Sequence, residues 1–335
     1  MAAYSDSEII AFVDQYMHGS DHPDQIGYRD QVKEREFADR AAFLARLKNL
    51  AKLGNFQNKR ILDVGCGFGW QAFVFALQGN SVIGIDILPS MIDGMNTSIA
   101  SMKSKGVNFD LTGVVGDVCE FNFQPASFDA IYSNEAIEHV HDLKKMFLRC
   151  RELLKPGGRI FLLNDSNVLN NATRAETMEM WKLREHSWEW VAQLKKWRPI
   201  EHGYAKPFAV MREEIVRSAN PALDDKEVSH IVENTSGLVK SEIISIARSY
   251  RANMNFPRVG QYDCCRNPET GEYAERLLDP YELASMLRSV GFSAHVRHNF
   301  RRFPLNLING IELKLVNEVL FQLRGAFIVV GELSA

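Results

Sequence analysis

Residues 133–142, Ser-Asn-Glu-Ala-Ile-Glu-His-Val-His-Asp, concentrate the side chains best suited to moving a proton or holding a metal. A helix opening near Glu135 puts Glu135, Glu138 and His139 at i, i+3 and i+4, on one face. Two carboxylates and an imidazole presented together can bind a divalent cation or act as a general base. The same residues can also pack and hydrogen-bond beneath a ligand, and the spacing leaves all three readings open.

A second constellation lies upstream. Residues 61–70, Ile-Leu-Asp-Val-Gly-Cys-Gly-Phe-Gly-Trp, run from an apolar strand pattern into Gly65, Gly67 and Gly69. Glycine there lets the chain turn tightly and lets its backbone approach a ligand where a Cβ would collide. The nicotinamide-binding pattern Gly-x-Gly-x-x-Gly spaces its third glycine one residue later, so it is the weaker match. Asp86 ends the next strand pattern, where its two oxygens suit the paired hydroxyls of a ribose. Asp117 ends the one after.

Elements must hold these residues in place. From Lys59 onward short apolar runs alternate with amphipathic helices, the pattern of a parallel sheet. The strand candidates are 60–64, 81–86, 113–117, 128–133 and 159–165, with 292–300 and 326–333 later. Met91, Met95, Ile99 and Met102 share one helix face after Pro89; Leu143, Met146, Phe147, Cys150 and Leu154 share another. Ile9, Phe12, Val13 and Tyr16, then Phe43, Leu44, Leu47 and Leu50, mark helices in a segment 1–58 ahead of the sheet. After Asp165 the strand pattern stops until Asp279-Pro280, a stretch too long for a bare loop, so 166–278 is expected to be a helical lid or substrate insert. The core is then 59–165 with 279–335.

Together these residues resemble the class I S-adenosylmethionine-dependent methyltransferases. The match rests on the acidic residue and Gly-x-Gly-x-Gly of Asp63, Gly65, Gly67 and Gly69, on Asp86, on Asp117 with Val118, and on Leu-Leu-Lys-Pro-Gly-Gly at 153–158. It implies an α/β, Rossmann-like seven-stranded sheet of order 3-2-1-4-5-7-6 with an antiparallel seventh strand. By resemblance, Asp63 and the Gly65–Gly69 loop, including Cys66, hold the methionine portion of S-adenosyl-L-methionine. Asp86 takes the ribose and Asp117 with the Val118 amide the adenine; Ile87, Met91 and Asn134 complete the set. The Glu-x-x-Glu-His spacing resembles that of quinone-precursor O-methyltransferases and small-RNA 3′-end methyltransferases, where it holds a metal; Glu135, Glu138 and His139 are thus the candidate catalytic residues and the candidate ligands for Mg2+.

Composition narrows the partners. The chain has 335 residues, 46% hydrophobic, with net charge −3 and scattered Lys and Arg, which disfavours nucleic acid. No apolar run nears the roughly 20 residues of a membrane span and no leader pattern opens the sequence, so a cytoplasmic protein without stable membrane insertion is expected. Five Cys without framework spacing read as free thiols. The insert holds Trp181, Trp188, Trp190 and Trp197; Trp181, His186 and Trp188 are the candidate substrate contacts, with packing the competing role. Arg266, Tyr273 and Arg276 are weaker ones. Apolar residues 305–324, led by Arg301 and Arg302, suit core, a homodimer contact or a membrane surface. The leading expectation is O-methylation of a small metabolite or glycan-like acceptor. Alternatives are a lipid or quinone-ring methyltransferase, a non-catalytic cofactor-binding interaction protein and a nicotinamide oxidoreductase.

Overall fold

The structure, a computed structural model, describes residues 4–21, 26, 39–197, 206–260, 265–299, 314–323 and 325–334. The strands are β1 (Arg60–Val64), β2 (Ser81–Asp86), β3 (Asp110–Val115), β4 (Phe128–Asn134), β5 (Leu154–Asn164), β6 (Ser293–His298) and β7 (Phe327–Glu332). They form one seven-stranded sheet in the order β3-β2-β1-β4-β5-β7-β6. β7 is antiparallel to β5 and β6, and the remaining pairs are parallel. The order reverses where β1 lies against β4, which opens a crevice at the carboxyl ends of those strands.

Two compact units divide the chain: Met1–Ile137, Asp142–Leu169 and Asp279–Ala335 form the first, Glu138–His141 and Asn170–Leu278 the second. In the first, β1 and β4 are buried almost throughout, as parallel strands covered on both faces must be. Helix Pro89–Ser104 starts on a proline and buries Met91, Met95, Ile99 and Met102. Helix Leu143–Leu153 buries Leu143, Met146, Phe147, Cys150 and Leu153. The leading helix, Asp6–Met17, opens with a capping box between Ser5 and Glu8. Its buried Ile9, Val13 and Tyr16 share one core with Phe43, Leu44, Leu47 and Leu50 of helix Arg40–Gly54 and with the buried helix Trp70–Leu77. These N-terminal helices are therefore part of the first unit's packing.

β5 begins five residues earlier than its apolar pattern indicates. Phe128 pairs with Leu154, but Ala130 pairs with Arg159, so residues 155–158 bulge out of the ladder, with Gly157 at φ 72°. The Pro-Gly-Gly signal marks this bulge inside one strand. Helix Pro280–Ser289 is capped by Asp279, whose carboxylate accepts the Tyr281 and Glu282 amides, and it buries Leu283 and Leu287.

The second unit contains helices Asn171–His186, Trp188–Trp197, Phe208–Ala219, Asp225–Asn234 and Lys240–Arg248. Val216, Ile231, Ile243 and Ala247 are fully buried at its centre. Residues 301–313, including Arg301, Arg302, Leu307, Ile308 and Ile311, lie outside the described residues, as does Cys264. In helix Lys314–Leu323, Leu320 and Phe321 face inward, Phe321 meeting Tyr281 and His298, while Val319 and Leu323 are 62% and 65% exposed. No helix among the described residues is long and apolar enough to cross a membrane, and Cys66, Cys119, Cys150 and Cys265 are free thiols.

Candidate active site

The loop after β1 is built from local strain that glycine alone relieves. Gly65, Gly67 and Gly69 sit at φ 70°, 52° and 72°, in the left-handed region. A Cβ on Gly65 would lie 2.3 Å from that of Ala136, and one on Gly69 would lie 2.8 Å from the Met95 side chain. The Gly65 and Cys66 amides donate to the Ile85 carbonyl, and the Gly69 amide closes the turn on the Cys66 carbonyl. The loop then enters helix Trp70–Leu77 with no side-chain cap.

Asp63 and Asp86 flank this loop, and a third acid, Asp117, follows β3. Asp86 accepts the Gly67 amide at 2.9 Å and the Leu88 amide at 3.0 Å, one on each carboxylate oxygen. Asp63 is 3% exposed, and no hydrogen bond or ion pair reaches its carboxyl among the described residues. Burial, reinforced by the Asp86 charge, pushes that carboxyl up to about 8. A buried acid beside a second carboxylate favours a cationic partner. Asp117 is exposed and accepts the Cys119 amide at 2.8 Å, while Val118 is buried behind it. Ile87 is 51% exposed next to Asp86; Met91 is buried and Asn134 half-buried at the end of β4. Burial, with the charges of Asp63 and Asp86, drives the Cys66 thiol well up, and burial with Asp117 drives Cys119 up to about 12, so neither is a thiolate nucleophile.

Tyr16 carries no signal in the sequence beyond its helical spacing, yet it supports this loop. Its hydroxyl donates to the Phe68 carbonyl at 3.0 Å and its ring stacks on Phe73 with centroids 4.3 Å apart. Ser133 likewise donates to the Val64 carbonyl at 2.8 Å, linking β4 to the end of β1.

The Glu-x-x-Glu-His segment folds differently from expectation. Glu135 has φ 50°, so no helix opens there; only a single 3-10 turn, Ile137–His139, forms. Left-handed backbone at Glu135 removes the shared i, i+3, i+4 face. Glu135 instead turns to the edge of β5, its amide donating to the Leu163 carbonyl and its carboxylate accepting the Asp165 amide at 3.4 Å. The group drawn together is Glu138, His139 and Glu275, whose ligand atoms all lie within 4.8 Å of one another. As a candidate metal ligand, Glu135 is thus replaced by Glu275. His139 places Nδ1 2.8 Å from the Tyr273 carbonyl and Nε2 3.9 Å from Glu138. A carbonyl only accepts, so Nδ1 carries a proton in this contact.

Trp181 serves this cluster from behind. It is buried, and its indole N–H donates to the Glu275 carbonyl at 2.8 Å. Trp188 is 55% exposed and His186 is exposed.

Residues 62–162 match the family model of a methyltransferase domain. The chain is 36% identical over 129 residues to ubiquinone biosynthesis O-methyltransferase of Xylella fastidiosa, a match covering 37% of this chain and 49% of that protein. It is 33% identical over 116 residues to the enzyme of that name from Coxiella burnetii, covering 35% and 47%. The chain thus spans about half the length of the curated relatives it matches. Among solved structures, phosphoethanolamine N-methyltransferase 2 of Haemonchus contortus, in complex with S-adenosyl-L-methionine, aligns over 92% of this chain and 60% of its own at 15% identity and a TM-score of 0.44. The matched residues, 62–162, run from β1 into β5 and carry the glycine loop, Asp86 and Asp117; this stretch is similar to methyltransferase domains, and the sheet order is the one that the resemblance implies.

Proposed function

We propose that this protein transfers the methyl group of S-adenosyl-L-methionine to a hydroxyl of a small acceptor. The observation that carries cofactor binding is the buried Asp63 carboxyl, without a hydrogen-bonded partner among the described residues, beside Asp86 and the left-handed glycine loop. Asp63 and the loop residues Gly65, Cys66, Gly67 and Gly69 hold the cationic amino-acid end; Asp86 takes the ribose, and Ile87, Met91, Asp117, Val118 and Asn134 enclose the adenine end. When bound, the cofactor supplies an electrophilic methyl for in-line displacement, so the protein's remaining work is to orient the acceptor and accept its proton. His139 suits that role, because the Tyr273 carbonyl engages Nδ1, which makes Nε2 the proton acceptor of the neutral ring, and Glu138 stands by to stabilise the imidazolium.

A divalent cation on Glu138, His139 and Glu275 is the second reading, favoured by the mutual approach of their ligand atoms. Two carboxylates and an imidazole suit manganese or zinc at least as well as magnesium. The relatives' name, ubiquinone biosynthesis O-methyltransferase, favours phenolic hydroxyls as the first acceptors to try. The second unit supplies the acceptor's pocket in this proposal, and Val319 and Leu323 a homodimer contact that sedimentation would test.

Calorimetric titration of chelator-treated protein with S-adenosylhomocysteine, with and without added manganese or magnesium, tests the core of the reading. Micromolar binding is expected, and labelled methyl should then pass to a catechol as an O-methyl ether. No binding would sink the proposal; binding with transfer only to amines would sink its hydroxyl part. Activity indifferent to chelator and metal would remove the second reading.

A further inference from the structure

Glu138–His141 follow β4 in sequence but pack as part of the second unit. These residues have little regular structure of their own: the 3-10 turn Ile137–His139 ends on His139, and Val140 lies beyond it. One such turn, with its poor hydrogen-bond geometry, does not by itself hold an imidazole at a reacting atom. The placement of His139 must come from a neighbour.

That neighbour is the hairpin of residues 265–276, in the same unit. Arg266 and Tyr273 form an antiparallel bridge, the Asn267 amide donates to the Glu272 carbonyl at 2.8 Å, and the Ala274 amide donates to the Cys265 carbonyl at 2.9 Å. Gly271 supplies the left-handed φ of 79° that the turn requires. The hairpin meets the His139 segment twice: the Tyr273 carbonyl accepts from His139 Nδ1 at 2.8 Å, and Arg276 Nη2 donates to the Val140 carbonyl at 2.9 Å. Arg276 also lies over the Tyr273 ring, its Cζ 4.2 Å from the ring centre. The contacts close a circuit from His139 to Tyr273, to Arg276, to Val140 and back along the chain. A planar guanidinium can lie on an aromatic face and donate in its own plane at once, which an ammonium cannot.

We propose that Arg276 is a positioning residue for His139. By joining the Val140 carbonyl to the Tyr273 ring it keeps the Tyr273 carbonyl on Nδ1, so that Nε2 is the nitrogen offered to the methyl acceptor. The catalytic part of this inference rests on the function proposed above; control of the His139 ring by Arg276 does not.

The test uses the full chain and two readouts. NMR of the chelator-treated protein, at one fixed alkaline pH, follows the His139 ring nitrogens, and methyl transfer from S-adenosylmethionine to catechol gives kcat and KM. The wild type should show Nδ1 bearing a hydrogen-bonded proton. In Arg276→Lys that proton should shift to Nε2 and kcat should fall by about ten- to a hundredfold, while KM for catechol and the Kd for S-adenosylhomocysteine stay within about twofold. Lys240→Gln, which breaks the exposed Lys240–Glu269 pair on the same hairpin, should leave both readouts unchanged. Should Arg276→Lys fail to fold, Tyr273→Leu, which keeps the carbonyl but removes the ring, should give the same tautomer shift and loss of kcat. An Arg276→Lys protein with wild-type nitrogen signals would overturn the proposal, as would an equal loss in Lys240→Gln or a loss confined to KM for catechol. A tautomer shift in Arg276→Lys with no methyl transfer even by the wild type would uphold control of the ring and refute only the methyltransferase reading.

Discussion

Asp63 and Asp86 differ in how the fold treats their charge. Asp86 is half-exposed and holds two backbone amides, so it is ready-made as an acceptor for a ligand's hydroxyls. Asp86→Ala should weaken S-adenosylhomocysteine binding by about 1–3 kcal/mol, roughly 5- to 150-fold, by calorimetry; unchanged affinity would remove Asp86 from the cofactor site. Asp63, pushed up to about 8 by burial, is neutral in the free protein below that pH. A cationic ligand favours its ionised form, so binding should release a proton below pH 8 and affinity should climb with pH to about 8 and then level. In the absence of ligand the sign is opposite. The unfolded chain ionises Asp63 near pH 4, so the stability this group contributes is complete below that and is lost as pH rises towards 8. Asp63→Asn should abolish proton release, measured from binding enthalpies in buffers of different ionisation heat, and flatten the pH dependence of Tm.

Secondary-structure elements decide whether these acids face a usable cavity. The glycine loop brings β1 to within van der Waals reach of Ala136 after β4, and Gly65→Ala would combine a positive φ with a 2.3 Å Cβ contact. A loss of about 2–4 kcal/mol is expected, with cofactor binding abolished; denaturant melts and calorimetry read both. The leading helix braces the same loop through Tyr16. Tyr16→Phe keeps the stack on Phe73 but deletes the bond to the Phe68 carbonyl. It should reduce stability by about 1 kcal/mol and raise the Kd for S-adenosylhomocysteine severalfold, whereas an unaltered Kd would make Tyr16 a packing residue only.

The two units have separate cores, one around the sheet and its helices and one around Val216, Ile231 and Ile243. A ligand that binds only the first should stabilise that unit selectively. On adding S-adenosylhomocysteine, hydrogen exchange should slow across Arg60–Leu77 and Ser81–Ser104 and stay unchanged in helices Asp225–Asn234 and Lys240–Arg248. Slowing confined to the second unit would contradict the assignment of the cofactor to the glycine loop.

Much of the first unit was readable residue by residue, because its signals are short-range. Methionines recurring along Pro89–Ser104, the proline at its start, the glycines after β1 and the acids at strand ends each report on their own few neighbours. The sheet order that the structure displays came instead from the family those residues resemble. Contacts between distant stretches left no such trace. Tyr16 reaches Phe68, Trp181 secures Glu275, and Glu275 joins Glu138 and His139 only because the last residues of the insert return there. Glu135 was drawn to the cluster by spacing and resemblance and excluded from it by a left-handed φ, and the raised Asp63 carboxyl, legible in the sequence only as the acid of the glycine motif, comes from burial beside Asp86. Spacing along a chain determines which residues can share a face; burial, tautomer and charge depend on what the rest of the fold puts around them.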